Sequence, residues 1–361
     1  MYSNYEPYYQ VLENYTRFDY LSADDSTKAQ MIDQVFNIYR SVNEYPIPKF
    51  TDEEAVQEVI KCYNKEIDTS KDFMSLKFNQ GSGLCRHIFP NLRDTVQAGD
   101  PRTLNAKFFD DHMLKRAIEF CLKFKTSKCP VKPSGIKDGL EMLGGGVATN
   151  FKPMSAKWVY DKYCPQDATV YDFSSGFGGR MLGAASSTKV SRYIGTDPNT
   201  VTFNNQKKLK AVIQSALPDF KIGLHNLPSE EATLPTGLID LAFSSPPYFD
   251  LEVYTEEATQ SVVKFPKYLD WLEGYVRPTL TNIHNSLKSN GLLALNIADY
   301  NFKSRTVYMV DDWIRIANDV GFNLIDTVPM RIQTRRGVGH GPNTKEKQEG
   351  IYIFNPMTKD A

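Results

Sequence analysis

Leu238-Ile239-Asp240-Leu241-Ala242-Phe243-Ser244-Ser245-Pro246-Pro247-Tyr248 decides how this chain is read. An apolar run of strand character ends in Ser-Pro-Pro-Tyr and cannot go on as sheet, because Pro246 and Pro247 lack an N–H and have a fixed φ. Each also holds the residue before it in extended geometry. The turn is therefore stiff and offers carbonyl acceptors without competing donors. An exocyclic amine fits such an edge, since its N–H groups must point at acceptors if its lone pair is to leave conjugation with the ring. Tyr248 adds a flat face on which an unstacked base can lie. A Pro-Pro turn closing an ordinary strand is the alternative.

Working upstream, Thr169-Val170-Tyr171-Asp172-Phe173 runs through Ser174-Ser175-Gly176-Phe177-Gly178-Gly179 into Arg180-Met181-Leu182-Gly183, a strand, a small-residue loop and a helix start. Glycines there let backbone approach a ligand and expose N–H groups near a helix N-terminus. The next strand ends in Thr196-Asp197-Pro198-Asn199, with an acid where doubly wound folds hold ribose hydroxyls. Capping of the following helix is the other reading of Asp197. A nicotinamide turn fails in register, because the sixth position of Gly176-Phe177-Gly178-Gly179-Arg180-Met181 is methionine. A phosphate loop fails because no Gly-Lys-Ser/Thr follows.

The surrounding pattern is α/β. Short apolar strands are expected at 169–173, 193–196, 221–225, 239–243, 292–297, 324–332 and 351–354, alternating with helices until the last two, which have no room for one and should pair antiparallel. A long helix over 265–288, kinked near Pro278, is expected to close at Asn290-Gly291. Residues 1–149 read as a mainly helical region, with helices at 29–39, 55–63 behind the capping box Thr51-Asp52-Glu53-Glu54, and 110–124. Pro130, Pro133, Gly135 and Gly144-Gly145-Gly146 mark a connection, and the boundary is placed before a second domain at 150–361. The tyrosines Tyr2, Tyr5, Tyr8, Tyr9, Tyr15 and Tyr20 are expected to pack the extension, with a stacking surface as the alternative.

Composition bounds the rest. The 361 residues suffice for two domains, and 41% hydrophobic with 24% charged residues is ordinary for a soluble globular chain. No apolar run approaches a membrane span, and Met1-Tyr2-Ser3-Asn4-Tyr5-Glu6 has no signal-like region, so a cytoplasmic protein with no membrane partner is expected. Five cysteines without a Cys-x-x-Cys pair signal neither disulfides nor a metal site. Five scattered histidines suggest no general base. The net charge of -1 gives no global pull on polyanions, so basic residues must be concentrated locally if a nucleic acid is bound.

In the Ser245–Tyr248 tetrapeptide, the glycine turn and the acid at Asp197, the chain resembles the DNA amino-methyltransferases, which use S-adenosylmethionine to methylate the N4 of cytosine or the N6 of adenine. The resemblance covers residues 150–354. It implies the class I methyltransferase fold, a Rossmann-like seven-stranded and mostly parallel sheet with an antiparallel last strand. It implies S-adenosylmethionine as cofactor and duplex DNA with a flipped base as partner. Ser245, Pro246, Pro247 and Tyr248 are then catalytic. Phe151 and Pro153, in the segment before the first strand, enclose the methionine end. Asp172, Ser174, Gly176, Gly178 and Ser244 face the cofactor, Asp197 takes the ribose and Glu230 the adenine amine, although a solvated acid at a helix start reads equally well for Glu230.

Ser at the head of the tetrapeptide resembles the cytosine-N4 branch, and its hydroxyl can donate to cytosine N3 where a carboxylate only accepts. Adenine N6 stays open, as do an RNA or protein-amide methyltransferase and an inactive nucleic-acid-binding module on the same fold. Cytosine-C5 chemistry is disfavoured, because no Pro-Cys follows the cofactor turn. Arg331, Arg335, Arg336 and Lys345 supply the local basic group for DNA phosphates, with a solvated hairpin as alternative. Little chain follows the last strand to read a DNA sequence, so recognition is expected from the helical region 1–149.

Overall fold

The computed structural model describes residues 2–71, 73, 79–97, 102–143, 148–302, 305–330 and 349–357. The chain divides into two units, Met1–Thr51 with Pro90–Thr149, and Asp52–Phe89 with Asn150–Ala361. The first is helical. Its longest helix, Asp25–Val42, starts where Asp24 accepts from Thr27 N and ends at Asn43 in the left-handed region. Asp110 caps Asp111–Phe124 by accepting from Met113 N. Tyr5, Tyr20 and Tyr39 lie with Val35, Phe108, Ile118 and Ile136 in this unit's own core, where the Tyr39 hydroxyl donates to the Val131 carbonyl at 2.8 Å. Tyr2, Tyr8, Tyr9 and Tyr15 pack against the same core.

The second unit is an α/β sheet with helices α1 (Asp52–Tyr63), α2 (Ser82–Ile88), α3 (Pro153–Tyr163), α4 (Gly179–Ser186), α5 (Thr200–Ala216), α6 (Arg277–Ser286) and α7 (Met309–Val320). Its strands are β1 (Ala168–Asp172), β2 (Val190–Thr196), β3 (Lys221–His225), β4 (Ile239–Ser244), β5 (Leu287–Ile297), β6 (Phe322–Met330) and β7 (Glu349–Pro356). They lie in the order β6-β7-β5-β4-β1-β2-β3. Neighbours from β5 to β3 run parallel, and β7 is antiparallel to both β5 and β6. This is the class I methyltransferase sheet: a doubly wound 3-2-1-4-5 core with an antiparallel strand inserted near one edge.

Strand order reverses between β1 and β4. There Val170 pairs with Leu241 and Tyr171 with Ala242, so the glycine turn and the double-proline turn leave adjacent parallel strands at the same rim. Trp271, Tyr275, Leu280, Ile283, Trp313, Phe322 and Phe354 share one buried core cluster with Tyr171, Ile194, Leu293 and Leu295 of the sheet.

Two expectations need correction. The helix expected at 55–63, read from sequence as part of the region 1–149, is α1 and clusters with the sheet unit, as does α2, a helix not expected from sequence. A Cβ on Gly81 would lie 2.9 Å from Leu182 and 3.2 Å from Pro153, and Lys157 Nζ donates to the carbonyls of Cys62 and Tyr63. Such packing is non-local and leaves no signal in the linear pattern. The long helix also ends earlier than expected. A short helix Tyr268–Trp271 passes through a π-turn at Leu272–Val276 into α6, whose first turn holds Pro278. Asn290-Gly291 lies within β5, where the register jumps from Ile239 opposite Leu287 to Leu241 opposite Leu292. A Cβ on Gly291 would stand 2.9 Å from the Ile239 carbonyl, so the glycine serves close strand approach and not a helix end.

Candidate active site

Asp172 ends β1 with no exposed surface. Its Oδ2 takes Arg180 Nε at 2.9 Å and the Tyr193 hydroxyl at 2.9 Å, and its Oδ1 takes the Ser244 hydroxyl at 2.8 Å. Arg180 also donates to the Ser174 carbonyl. Burial works against the Arg180 charge, but Asp172 beside it more than offsets this, and the guanidinium pKa is raised. The carboxylate expected to meet the cofactor is thus engaged by the protein on both oxygens. It ties the start of the glycine turn, the first turn of α4 and the end of β4 into one buried network.

The glycine turn is held from two further sides. Ser175 N donates to Thr196 O at 2.9 Å, and Gln206 Nε2 on α5 donates to Ser175 Oγ at 2.9 Å and to Gly176 O at 2.8 Å. Gly176 has φ +52, and its N–H donates to Asp197 Oδ2 at 2.8 Å. Gly178 has φ +77, and a Cβ there would meet Leu209 at 2.5 Å and Phe89 at 2.6 Å, so close packing as well as backbone angle demands glycine.

Asp197 follows β2 and is 8% exposed. Besides Gly176 N it accepts Asn199 N at 2.9 Å, and the helix cap expected as its alternative role falls to Asn199, which accepts from Thr202 N. Burial pushes its carboxyl up to about 6, against the two backbone N–H groups that favour the charged form. With two of about four lone-pair sites used, Asp197 keeps acceptor capacity for hydroxyl donors.

Glu230 sits in the turn after β3. Its side chain is 4% exposed, so the solvated reading is set aside. Lys264 Nζ lies 3.1 Å from Oε1, while Oε2 is buried without a hydrogen-bond partner. Burial raises its pKa and Lys264 opposes the rise. A buried orphan acceptor asks for a donor such as an amine or hydroxyl. The Tyr275 hydroxyl lies 3.2 Å from Ser174 Oγ in the glycine turn, and burial and the Glu230 charge both raise its pKa.

Phe151 and Pro153 both pack against α4. The Phe151 ring stands edge-on to Phe243 at 5.4 Å with Arg180 5.8 Å over it, and its carbonyl would lie 1.8 Å from a Cβ on Gly179. Pro153 is buried where α3 meets Gly81 and Gly183. Both fix the packing of α4, which starts at the end of the glycine turn.

At the other turn, Ser244 is fully buried, Ser245, Pro247 and Tyr248 are half-buried, and Pro246 is buried. The Tyr248 ring lies 5.9 Å from Tyr300, and burial raises its hydroxyl pKa. Leu251 N closes the turn onto Tyr248 O at 2.7 Å, with Phe249 at φ +27. A bulky residue there is strained, and the Phe249 ring is clamped between Tyr268 and Trp271. Sequence reading missed Phe249, Arg180, Tyr193 and Gln206. Of these only Arg180 had a signal, as the one charge in a run of small and apolar helix residues.

Arg331, Arg335, Arg336 and Lys345 lie outside the described residues. Among the described residues no group of three or more His, Cys, Asp or Glu is arranged to hold a metal ion, and no helix is long and apolar enough to cross a membrane.

No family model matches the sequence. A stretch of 95 residues is 34% identical to the type II methyltransferase M.MjaVI of Methanocaldococcus jannaschii, covering 26% of this chain and 46% of that protein, less than half its length. Solved structures with a similar fold include a TehB-like SAM-dependent methyltransferase from Corynebacterium glutamicum, at 16% identity over 58% of this chain and 90% of that one, with a TM-score of 0.35. The M. jannaschii TYW2 structure in complex with AdoMet matches at 12% identity over 58% and 79%, with a TM-score of 0.36.

Proposed function

We propose that this chain is an S-adenosylmethionine-dependent methyltransferase acting on an exocyclic amine of a DNA base, with N4 of cytosine preferred to N6 of adenine. The observation that carries the reading is the 2.8 Å bond from Ser244 to Asp172, which locks the acceptor turn beside the glycine turn at the point of strand-order reversal. The partial likeness to a type II methyltransferase agrees with it.

The residues fit the cofactor. Asp197 has lone pairs for the ribose hydroxyls, the orphaned Glu230 Oε2 offers an acceptor for the adenine amine, and Gly176 brings backbone close without a side chain. When bound, the cofactor supplies a sulfonium methyl group as electrophile. The chain's own contribution is to present the amine. Ser245 and the Pro246 carbonyl accept its N–H bonds, turn its lone pair out of the ring plane and stabilise the positive charge that develops on nitrogen. Tyr248 stacks on the flipped base. In-line transfer needs no covalent enzyme intermediate. In this reading the helical unit clamps or reads DNA, and Arg331, Arg335, Arg336 and Lys345 meet phosphates.

The test is methyl transfer from labelled cofactor to duplex DNA, RNA and protein, followed by nucleoside mass spectrometry. Label in DNA as N4-methylcytosine is expected. N6-methyladenine would move the target within the reading, and label only in RNA or protein would reject DNA. Loss of one base-stacking contact is worth about 1–3 kcal/mol, so Tyr248→Ala should slow turnover by roughly 5- to 150-fold while leaving cofactor affinity nearly unchanged. The reverse pattern would reject the role given to Tyr248.

A further inference from the structure

The segment after the tetrapeptide crosses from the double-proline turn to the far side of the glycine turn. At its near end the Tyr254 hydroxyl donates to the Glu252 carboxylate. The Tyr254 ring lies 6.0 Å from Phe177 of the glycine turn, inclined at 47°. Asp197 and Tyr248 are both near enough to act electrostatically on its hydroxyl. Tyr254 therefore packs on the glycine turn through Phe177, at the point where the segment leaves the double-proline turn.

At the far end the segment is fastened to α5. Glu257 accepts from Thr200 N at 3.1 and 3.3 Å, one for each carboxylate oxygen, and from Thr200 Oγ1 at 3.0 Å. Thr200 is the first residue of that helix, so the carboxylate also meets the positive end of the helix dipole. Thr259 Oγ1 reaches Pro198 O at 3.4 Å, in the same loop that follows Asp197. Beyond it, Ser261 accepts from Trp271 Nε1 at 3.0 Å and Lys264 pairs with Glu230 and Glu231. The Trp271 anchor is buried, whereas the Glu257 contact is exposed to solvent. Exposed hydrogen bonds exchange readily with water, so the Glu257 and Thr259 contacts can open without unfolding their surroundings, and Glu257 makes the more numerous bonds of the two.

We propose that Glu257 is the latch of a strap, residues 254–259, which clips onto the N-terminus of α5 and holds Tyr254 closed over the cofactor crevice. Glu257 is a positioning residue that acts through Tyr254, and its role rests on the cofactor reading given above. With the latch engaged, a bound cofactor is retained. With it released, the crevice opens for exchange of spent for fresh cofactor while β1, β4 and their turns stay in place.

The test uses the full chain and two variants. Glu257→Ala removes every acceptor, and Glu257→Gln keeps one carbonyl. Stopped-flow dissociation of S-adenosylhomocysteine should be about 5- to 20-fold faster in Glu257→Ala, less than for a buried charged acceptor because the contact is exposed and screened by solvent, with Glu257→Gln between it and the wild type. Hydrogen exchange of residues 254–259 should accelerate in the same order, while amides of β1 and β4 keep their protection. Unchanged exchange in the strap overturns the proposal. Faster exchange with unchanged dissociation overturns it too, since the strap would then open without guarding the crevice. If the wild-type protein binds no S-adenosylhomocysteine, the cofactor reading fails, and the exchange measurement alone decides whether the latch exists.

Discussion

Asp172 and Asp197 end neighbouring strands of one sheet, both buried and both expected from sequence to touch a cofactor, yet they are used in opposite ways. Around Asp172 the protein supplies a guanidinium and two hydroxyls, so its charge is neutralised and its oxygens are occupied. Around Asp197 it supplies two backbone N–H groups, with Arg180 acting on it only through space and without an ion pair, and burial holds the carboxyl up at about 6. A strand end at the switch point can carry a structural keystone or a receptor for ligand hydroxyls. What separates them is how many of the carboxylate's lone pairs the fold itself consumes.

The contrast breaks most forcefully at Arg180. Arg180→Met keeps much of the side-chain volume and removes the partner, leaving a buried carboxylate with two hydroxyls alone. Loss of one member of a buried ion pair costs about 3–5 kcal/mol, and denaturant unfolding should show a drop of that size. The double variant Asp172→Asn with Arg180→Met should recover most of the loss, because no unpaired charge remains. If it does not, the keystone is a matter of shape and not of charge.

Asp197→Ala should do little to the ion-pair network and much to cofactor binding. Hydrogen bonds to a charged acceptor are worth about 1.5–3 kcal/mol, so affinity measured by titration calorimetry should weaken roughly 10- to 100-fold. The pH dependence has a definite sign. Hydroxyl donors favour the ionised carboxylate, so wild-type affinity should rise as the pH climbs through about 6, and the variant should lose that slope. Stability runs the other way. Between the ordinary carboxyl value and about 6 the folded protein holds a proton that the unfolded chain has released, so the Asp197 contribution to stability declines as the pH rises across that window. Affinity that ignores pH would mean Asp197 is no ribose receptor.

Much of the frame was legible in the chain. Short apolar runs, the glycine turn and the double-proline turn are local features, and a local feature can be read from neighbours in sequence. The saturation of Asp172 was not legible, because Arg180, Tyr193 and Ser244 come from three separate elements and only the folded sheet brings them to one carboxylate. The same reason hid the place of α1 and α2, since Gly81 between them packs on Pro153 and Leu182, far downstream in the chain. Gly178 and Gly291 show a subtler failure. Gly178 keeps its place in the glycine turn but is also required by Leu209 and Phe89, whereas Gly291 loses the helix-end role read from sequence and is required by the Ile239 carbonyl, which leaves no room for a Cβ.

The smallest effect is the most discriminating for the coupling between the two turns. Ser244→Ala removes one hydroxyl from Asp172 Oδ1 while Arg180 and Tyr193 still hold Oδ2, so the loss should be near the ordinary value of about 1–2 kcal/mol. Cofactor affinity should stay within about two-fold, because Asp197 and Gly176 are untouched, while kcat should fall as the acceptor turn loosens against the glycine turn. A stability loss as large as that of Arg180→Met would mean the hydroxyl, and not the ion pair, governs the keystone. An unchanged kcat would mean that the two turns are aligned by the β1–β4 ladder alone, and that the Ser244 bond only satisfies a buried oxygen.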